Sequence, residues 1–161
     1  MNDVTYAVVS DIENYTPISK NLKSELVEPF IKMAETFHIR PILGENLDNS
    51  LLAMISGDTL SGASYTLVQE YIIPASLWFS LFEALPFIWV RMNNRGLQVA
   101  NDEKASSVDK KSYETLKQEM LDKATEYLNR LIDYLNDNTT TFPLYGNCKA
   151  GKSNSTGIFL G

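Results

Sequence analysis

Residues Tyr71 to Val90 read YIIPASLWFSLFEALPFIWV, and this apolar stretch decides how the rest of the chain must fold. Its only charged residue is Glu83, and its length is close to that of a membrane-spanning helix. Two prolines, Pro74 and Pro86, interrupt it, and these prolines and the carboxylate are poorly suited to lipid. Because the remaining chain is amphipathic, we interpret the stretch as the central helix of a bundle, covered on every side by other elements.

The composition is that of one globular domain. The chain has 161 residues, of which 44% are hydrophobic and 21% are charged, as expected for a protein with a full core. Its net charge of −6 argues against the exposed basic face that nucleic-acid-binding domains use. The first residues show no signal-peptide pattern, and the single cysteine, Cys148, cannot form an internal disulfide. We therefore expect a protein of a reducing cytosol.

Two helices are predicted before the apolar stretch. Apolar residues at three- and four-residue spacing begin near Glu25 and include Leu26, Phe30, Met33, Ala34 and Phe37, so one face of this helix is apolar. Pro41 is expected to end this helix by residue 39 or 40. A second helix is predicted from about Glu45 to Ile55, and Gly57 with Asp58 ends it.

A third helix is predicted from about Ser64 to Leu85. Pro74 should kink this helix without ending it, because apolar character continues on both sides. Pro86 is expected to end it. The sequence that follows, FIWVRM-NNRG-LQVAN, predicts two short strands joined by a turn.

The last helix is predicted to begin after Ser107 and to continue to about Leu135. Its apolar residues keep three- and four-residue spacing throughout. A helix of roughly 28 residues is on the order of 40 Å long, so part of it should pack against something beyond its own domain.

These elements predict a mainly α fold with a bundle of about four helices. One helix is kinked by proline and one is long and C-terminal, and a small β-hairpin and extended terminal arms complete the fold. We divide the chain into an N-terminal arm (1–20), a helical domain (21–145) and a flexible C-terminal tail (146–161). Within the arm, Val4 to Val9 favour either a short strand or a segment that pairs with a neighbouring subunit.

The tail contains a formal match to the phosphate-binding loop of nucleotide hydrolases. The match consists of Gly146, Gly151, Lys152 and Ser153. That loop needs a strand before it and a helix after it, but Pro143 precedes the match and only eight residues follow it. We interpret the match as a coincidence. The sequence therefore predicts no catalytic residue, no cofactor and no nucleotide site.

Two titratable residues stand out among apolar neighbours. His38, the only histidine, is expected at the end of the first helix, where a charged imidazole meets the helix dipole. Without a second histidine or a cysteine cluster, no metal site is predicted. Glu83 interrupts the apolar helix, and it either forms a buried pair with an arginine or marks a stripe that faces solvent or another subunit.

The order of these segments resembles the head–tail connector proteins of tailed bacteriophages, most closely the ring or adaptor proteins of crAss-like gut phages. The resemblance covers most of residues 10 to 145. It is carried by Pro17-Ile18-Ser19, ELVEPFIKMAETFHIRPILG, NNRGLQV and ATEYLNRLIDYLNDN…FPLY. Its most characteristic pieces are Ile39 to Gly44 and Phe142 to Tyr145.

Such a resemblance implies a virion structural protein with no enzymatic activity. Members form a homo-oligomeric ring, typically a dodecamer, beneath the portal, where they extend the DNA channel and dock tail components. The implied partners are further copies of the chain, the portal protein and the next ring or tail protein, while DNA passes through without sequence-specific binding. The implied location is the head–tail junction of the virion, after assembly in the host cytoplasm.

We predict subunit contacts at three places. They are the hairpin tip (Asn93, Asn94, Arg95), the arm (Tyr6, Val8) and the tail tip (Ile158, Phe159, Leu160). Each could also be ordinary surface or a frayed terminus. The composition equally permits a cytosolic helical interaction or regulatory module. A small enzyme is disfavoured, because the sequence offers no acid–base or nucleophile set.

Overall fold

The computed structural model describes residues 4–16, 26–96, 103–147, 152–153 and 159–160, and these are mainly helical. The α-helices are α1 (Asp11–Tyr15), α2 (Glu28–Ala34), α3 (Arg40–Leu43), α4 (Glu45–Ser56), α5 (Gly62–Thr66), α6 (Ile73–Gly96) and α7 (Glu103–Asp137). One π-helical segment (Glu35–Ile39) joins α2 to α3, and another (Leu67–Ile72) joins α5 to α6. A 3₁₀ helix spans Pro143–Asn147, and strands β1 (Lys152–Ser153) and β2 (Phe159–Leu160) pair antiparallel.

The two π-helical segments let helices continue through prolines. A proline lacks an N–H and its ring crowds the carbonyl four residues earlier, which belongs to Phe37 for Pro41 and to Glu70 for Pro74. Both carbonyls lie inside the wider π turns. The predicted continuation through Pro74 is confirmed. The predicted end before Pro41 is wrong, because the helix runs on to Leu43.

The predicted β-hairpin is wrong as well. Pro86 lies inside α6, which continues to Gly96, while residues 97–100 lie outside the described part of the chain. Tertiary contacts hold this last part of the helix: the Phe87 ring centroid lies 5.1 Å from that of Phe30, and the Trp89 centroid lies 5.3 Å from that of Tyr113. Such packing overrides the local preference of the aromatic and β-branched residues Phe87 to Val90 for a strand.

The apolar stretch is the centre of the bundle. Helix α6 packs against both α2 and α7, and every residue from Ile72 to Leu81 is buried. The helix Gly62–Val90 is long and apolar enough to cross a membrane, yet 67% of its most apolar window is buried inside the fold. This burial favours the interpretation as a core helix.

Helix α7 and the turn after it close the core. The helix has 35 residues and begins at Glu103, earlier than predicted. Its buried side consists of Ala124, Leu128, Leu131, Ile132 and Leu135. After it, Phe142 and Tyr145 fold back with 4% and 0% of their surface exposed. Phe142 and Tyr145 of the piece FPLY therefore belong to the core, whereas Leu144 is exposed.

The N-terminal segment packs on its own domain. Residues 4–10 form no regular strand, and Tyr6, Ala7 and Ile12 belong to the same buried cluster as α2 and α6. The described part of the predicted arm is thus part of the domain. Helix α4 matches its prediction closely, since it begins at Glu45 and ends at Ser56.

Candidate functional site: an exposed aromatic face

The structure leaves large apolar side chains on the surface where α2 meets α6. Phe37 and Phe87 are each 63% exposed, Val90 is 57% exposed and Met33 is 38% exposed. Phe30 is half-buried and lies against Phe87, with the two rings tilted by 39°. Isolated exposed apolar residues are ordinary, whereas a set along one helix contact is a candidate interaction surface. We call Phe30, Met33, Phe37, Phe87 and Val90 the aromatic face.

Helix geometry explains why these side chains point outward together. Phe30, Met33 and Phe37 follow one another at three- and four-residue spacing, and therefore share one side of the helix. Another side of the same helix, with Ile31 and Ala34, is buried in the core. Of the residues predicted to form one apolar face, Ala34 is buried, whereas Met33 and Phe37 are exposed.

A polar pair lies in the same seam. His38 Nε2 is 2.8 Å from Glu83 Oε1, and the two side chains are 26% and 27% exposed. The His38 ring stacks on Phe79, with ring centroids 4.0 Å apart and planes 7° apart. Since Phe79 is itself buried, the pair ties the π-helical segment Glu35–Ile39 to the middle of α6.

Two sequence predictions change here. His38 lies inside a continuous helix, so its expected position at a helix end is wrong. The partner of Glu83 is this histidine and not an arginine. The sequence offered no signal for the pairing, because 45 residues separate the two side chains.

The residues that we predicted at subunit contacts differ in exposure and lie in different elements of the fold. Tyr6 is 6% exposed and packs in the core of its own chain, whereas Val8 is 53% exposed. The positions Asn93, Asn94 and Arg95 belong to the last part of α6 and form no hairpin tip. Phe159 and Leu160 form β2, and Ile158 lies outside the described residues.

A second polar cluster fixes the N-terminal segment. Glu35 Oε1 accepts the backbone N–H groups of Tyr6 and Ala7 at 3.0 and 2.9 Å. The Tyr6 hydroxyl donates to Asp48 Oδ1 at 2.8 Å, and Arg40 Nε donates to Asp48 Oδ2 at 2.8 Å. Beside these groups is an open pocket of about 340 Å³. The cluster joins the N-terminal segment to the π-helical segment Glu35–Ile39, to α3 and to α4.

Burial raises the pKa values of two groups in this cluster, Glu35 and Tyr6. Burial raises the pKa of Glu35 to about 7, although the two backbone N–H donors act in the opposite direction. Burial, helped by the charge of Asp48, raises the pKa of Tyr6 well above its usual value. Tyr6 is therefore a permanent donor, whereas Glu35 titrates near neutral pH.

The described residues give little else with which to do chemistry. Within the described ranges, no group of three or more His, Cys, Asp or Glu side chains could hold a metal ion. Lys152 and Ser153, from the phosphate-loop match, form β1. Cys148 lies outside the described residues.

The fold and its aromatic face define a small helical-bundle protein with an exposed apolar surface. The chain belongs to a family of unknown function (DUF6712), whose family model matches residues 39–155. No curated protein matches the chain, and no solved structure matches it.

Proposed function

We propose that the chain is a structural subunit that assembles with copies of itself into a ring of the phage head–tail connector type. The observation that carries this proposal is the aromatic face, where two phenylalanines, each 63% exposed, lie on adjoining helices. Burying apolar surface contributes about 25 cal/mol per Å². A subunit contact would remove from water the apolar area that the monomer leaves exposed.

The geometry of the face suits a ring. In a ring, each subunit uses one surface to contact a different surface on its neighbour, and the contact repeats until the rotation closes. The aromatic face supplies one such surface on the α2–α6 seam. The resemblance to head–tail connectors supplies the class of assembly and its expected partners, the portal protein and a tail protein, at the head–tail junction of a virion.

Charge supports the same role. DNA affinity grows with the number of phosphates that Lys and Arg neutralise. A chain with net charge −6 offers few such contacts, so DNA could pass through a ring of these subunits without being held.

An interaction or regulatory module in the cytosol is the second candidate. The aromatic face favours it equally on contact chemistry, because an amphipathic helix of another protein could cover the same residues. The two proposals differ in stoichiometry. A ring requires many identical subunits, whereas a regulatory module binds one or two copies of an unlike partner.

Light scattering coupled to size-exclusion chromatography tests the proposal. The chain is run alone over a range of concentrations, and then with the portal protein encoded in the same genome. A ring subunit gives a high-order species of discrete mass, alone or with portal. A strict monomer in both conditions would overturn the connector proposal and favour the regulatory one.

A further inference from the structure

The N-terminal segment packs over the Glu35 carboxylate and buries it. Glu35 is 8% exposed, and its Oε1 atom accepts the N–H groups of two successive residues, Tyr6 and Ala7. These contacts span 29 and 28 residues of sequence, so they are tertiary contacts that can open without unfolding a helix. We propose that Glu35 makes residues 4–10 a pH-responsive strap, which docks firmly when Glu35 is protonated and loosens when it is ionised.

The direction follows from solvation. When the strap is docked, the carboxyl group of Glu35 is removed from water, which disfavours its ionised form. When the strap lifts, the same group regains water. The docked state therefore binds the proton more tightly, in agreement with a Glu35 pKa raised to about 7 by burial. By linkage, raising the pH above this value favours the lifted state.

The surrounding charges do not cancel this effect. From α4, Asp48 adds negative charge, which further disfavours an ionised Glu35. Arg40 of α3 donates to Asp48, and no ion pair within the described ranges involves Glu35. Lys32 of α2 lines the neighbouring pocket and is itself engaged in an interaction. On α6, Glu83 is bonded to His38.

The strap keeps its hydrogen bonds in the protonated state. A neutral carboxyl group retains a carbonyl oxygen that can accept both backbone N–H groups. The Tyr6 hydroxyl stays protonated throughout, so its hydrogen bond to Asp48 in the docked state does not change with pH. Titration of Glu35 therefore changes the solvation cost of docking, and this cost outweighs the stronger hydrogen bonds that the ionised carboxylate makes with the two N–H groups. This inference is independent of ring assembly.

Amide hydrogen exchange measured by NMR tests the strap directly. The readouts are the protection factors of the Tyr6 and Ala7 amides at pH 5 and pH 8.5, corrected for intrinsic exchange. With a Glu35 pKa of 4.5 when exposed and about 7 when docked, protection should fall by about 70-fold between these pH values. The Leu51 amide of α4 serves as the internal reference.

Two variants complete the test. Glu35→Gln is isosteric and always neutral, and should show less than about a twofold change in protection over the same range. Glu28→Gln changes a solvent-exposed glutamate of the same helix and should keep the wild-type fall. An unchanged wild-type protection factor, or an equal fall in Glu35→Gln, would overturn the proposal.

A further measurement covers the case in which Glu35→Gln does not fold. The Glu35 side-chain carboxyl carbon of the wild-type protein can be followed by NMR as pH is varied. A titration midpoint near 7 supports the strap, and a midpoint below 5 overturns it.

Discussion

His38 Nε2 lies 2.8 Å from Glu83 Oε1 and joins the π-helical segment before Pro41 to the middle of α6. The histidine ring also stacks on the buried ring of Phe79. This pair stabilises the contact between the two helices that carry the aromatic face. Its removal should therefore loosen both the fold and the surface.

Replacing His38 by alanine should destabilise the protein by about 1–2 kcal/mol, because a half-buried hydrogen bond and a stacked ring are lost together. Glu83→Gln keeps a side chain that can still bond the imidazole and should cost less. Urea unfolding followed by circular dichroism measures both. Equal stability of His38→Ala and wild type would show that the pair contributes nothing.

Gly44→Ala should destabilise the protein by about 1–3 kcal/mol, since Gly44 has φ 74° and ψ 154°, a conformation that essentially only glycine adopts. Gly57→Ala is the matched comparison, because Gly57 has φ −89° and ends the next helix. A Cβ there would lie 3.3 Å from the Ala53 carbonyl oxygen, so a smaller loss is expected. Thermal unfolding compares the two, and a larger loss in Gly57→Ala would contradict the argument.

Ser76→Ala should leave stability unchanged or raise it by up to about 1 kcal/mol. The Ser76 hydroxyl is buried and has no hydrogen-bond partner among the described residues. Alanine also has the higher helix propensity. The control is Ser80→Ala, which removes a buried hydroxyl that donates to the Ser76 carbonyl oxygen at 2.6 Å. Chemical denaturation should rank Ser76→Ala above Ser80→Ala, and the reverse order would refute the assignment.

The unfolding free energy should fall as pH rises through the titration of Glu35. Its pKa is raised from 4.5 to about 7 in the folded protein, so the stabilisation is fully present below 4.5 and is lost as pH passes 7. The loss amounts to about 3 kcal/mol between pH 4.5 and 8.5. Because other groups also titrate, the measured quantity is the difference between wild type and Glu35→Gln in urea unfolding. A difference that does not vary with pH would contradict the buried state of Glu35.

Helices with regular apolar spacing and the continuation through Pro74 could be predicted from sequence, whereas the continuation through Pro41 and Pro86 could not. The bounds of α4 follow from its spacing and from the Gly57–Asp58 break. Pro41, Pro74 and Pro86 all lie in continuing helices, because π turns and packing on α2 and α7 compensate for the missing N–H groups. Those compensations depend on residues distant in sequence.

The candidate site was harder to predict than the fold. The residues Phe30, Met33 and Phe37 were visible as an apolar stripe, but a stripe does not reveal whether it faces the core or solvent. Ile31 and Ala34 form the buried side of the same helix, so the helix carries apolar residues on more sides than the core needs. That excess of apolar residues was the indication in the sequence that part of this helix surface is exposed and apolar. The contact of Glu35 with Tyr6 and Ala7 could not be predicted from the spacing of neighbouring residues in the sequence.

The central claim is that the aromatic face is a contact between copies of this chain. It is tested most directly by measuring molar mass with light scattering for the double variant Phe37→Ser and Phe87→Ser. Tyr65→Ser is the matched control, because Tyr65 is 53% exposed and lies 22 residues before Phe87, about 30 Å along the same continuous helix. We predict that wild type and Tyr65→Ser form the same high-order species, alone or with the portal protein, while the double variant stays monomeric in both conditions with unchanged helix content. Assembly of the double variant to the wild-type mass would contradict the account.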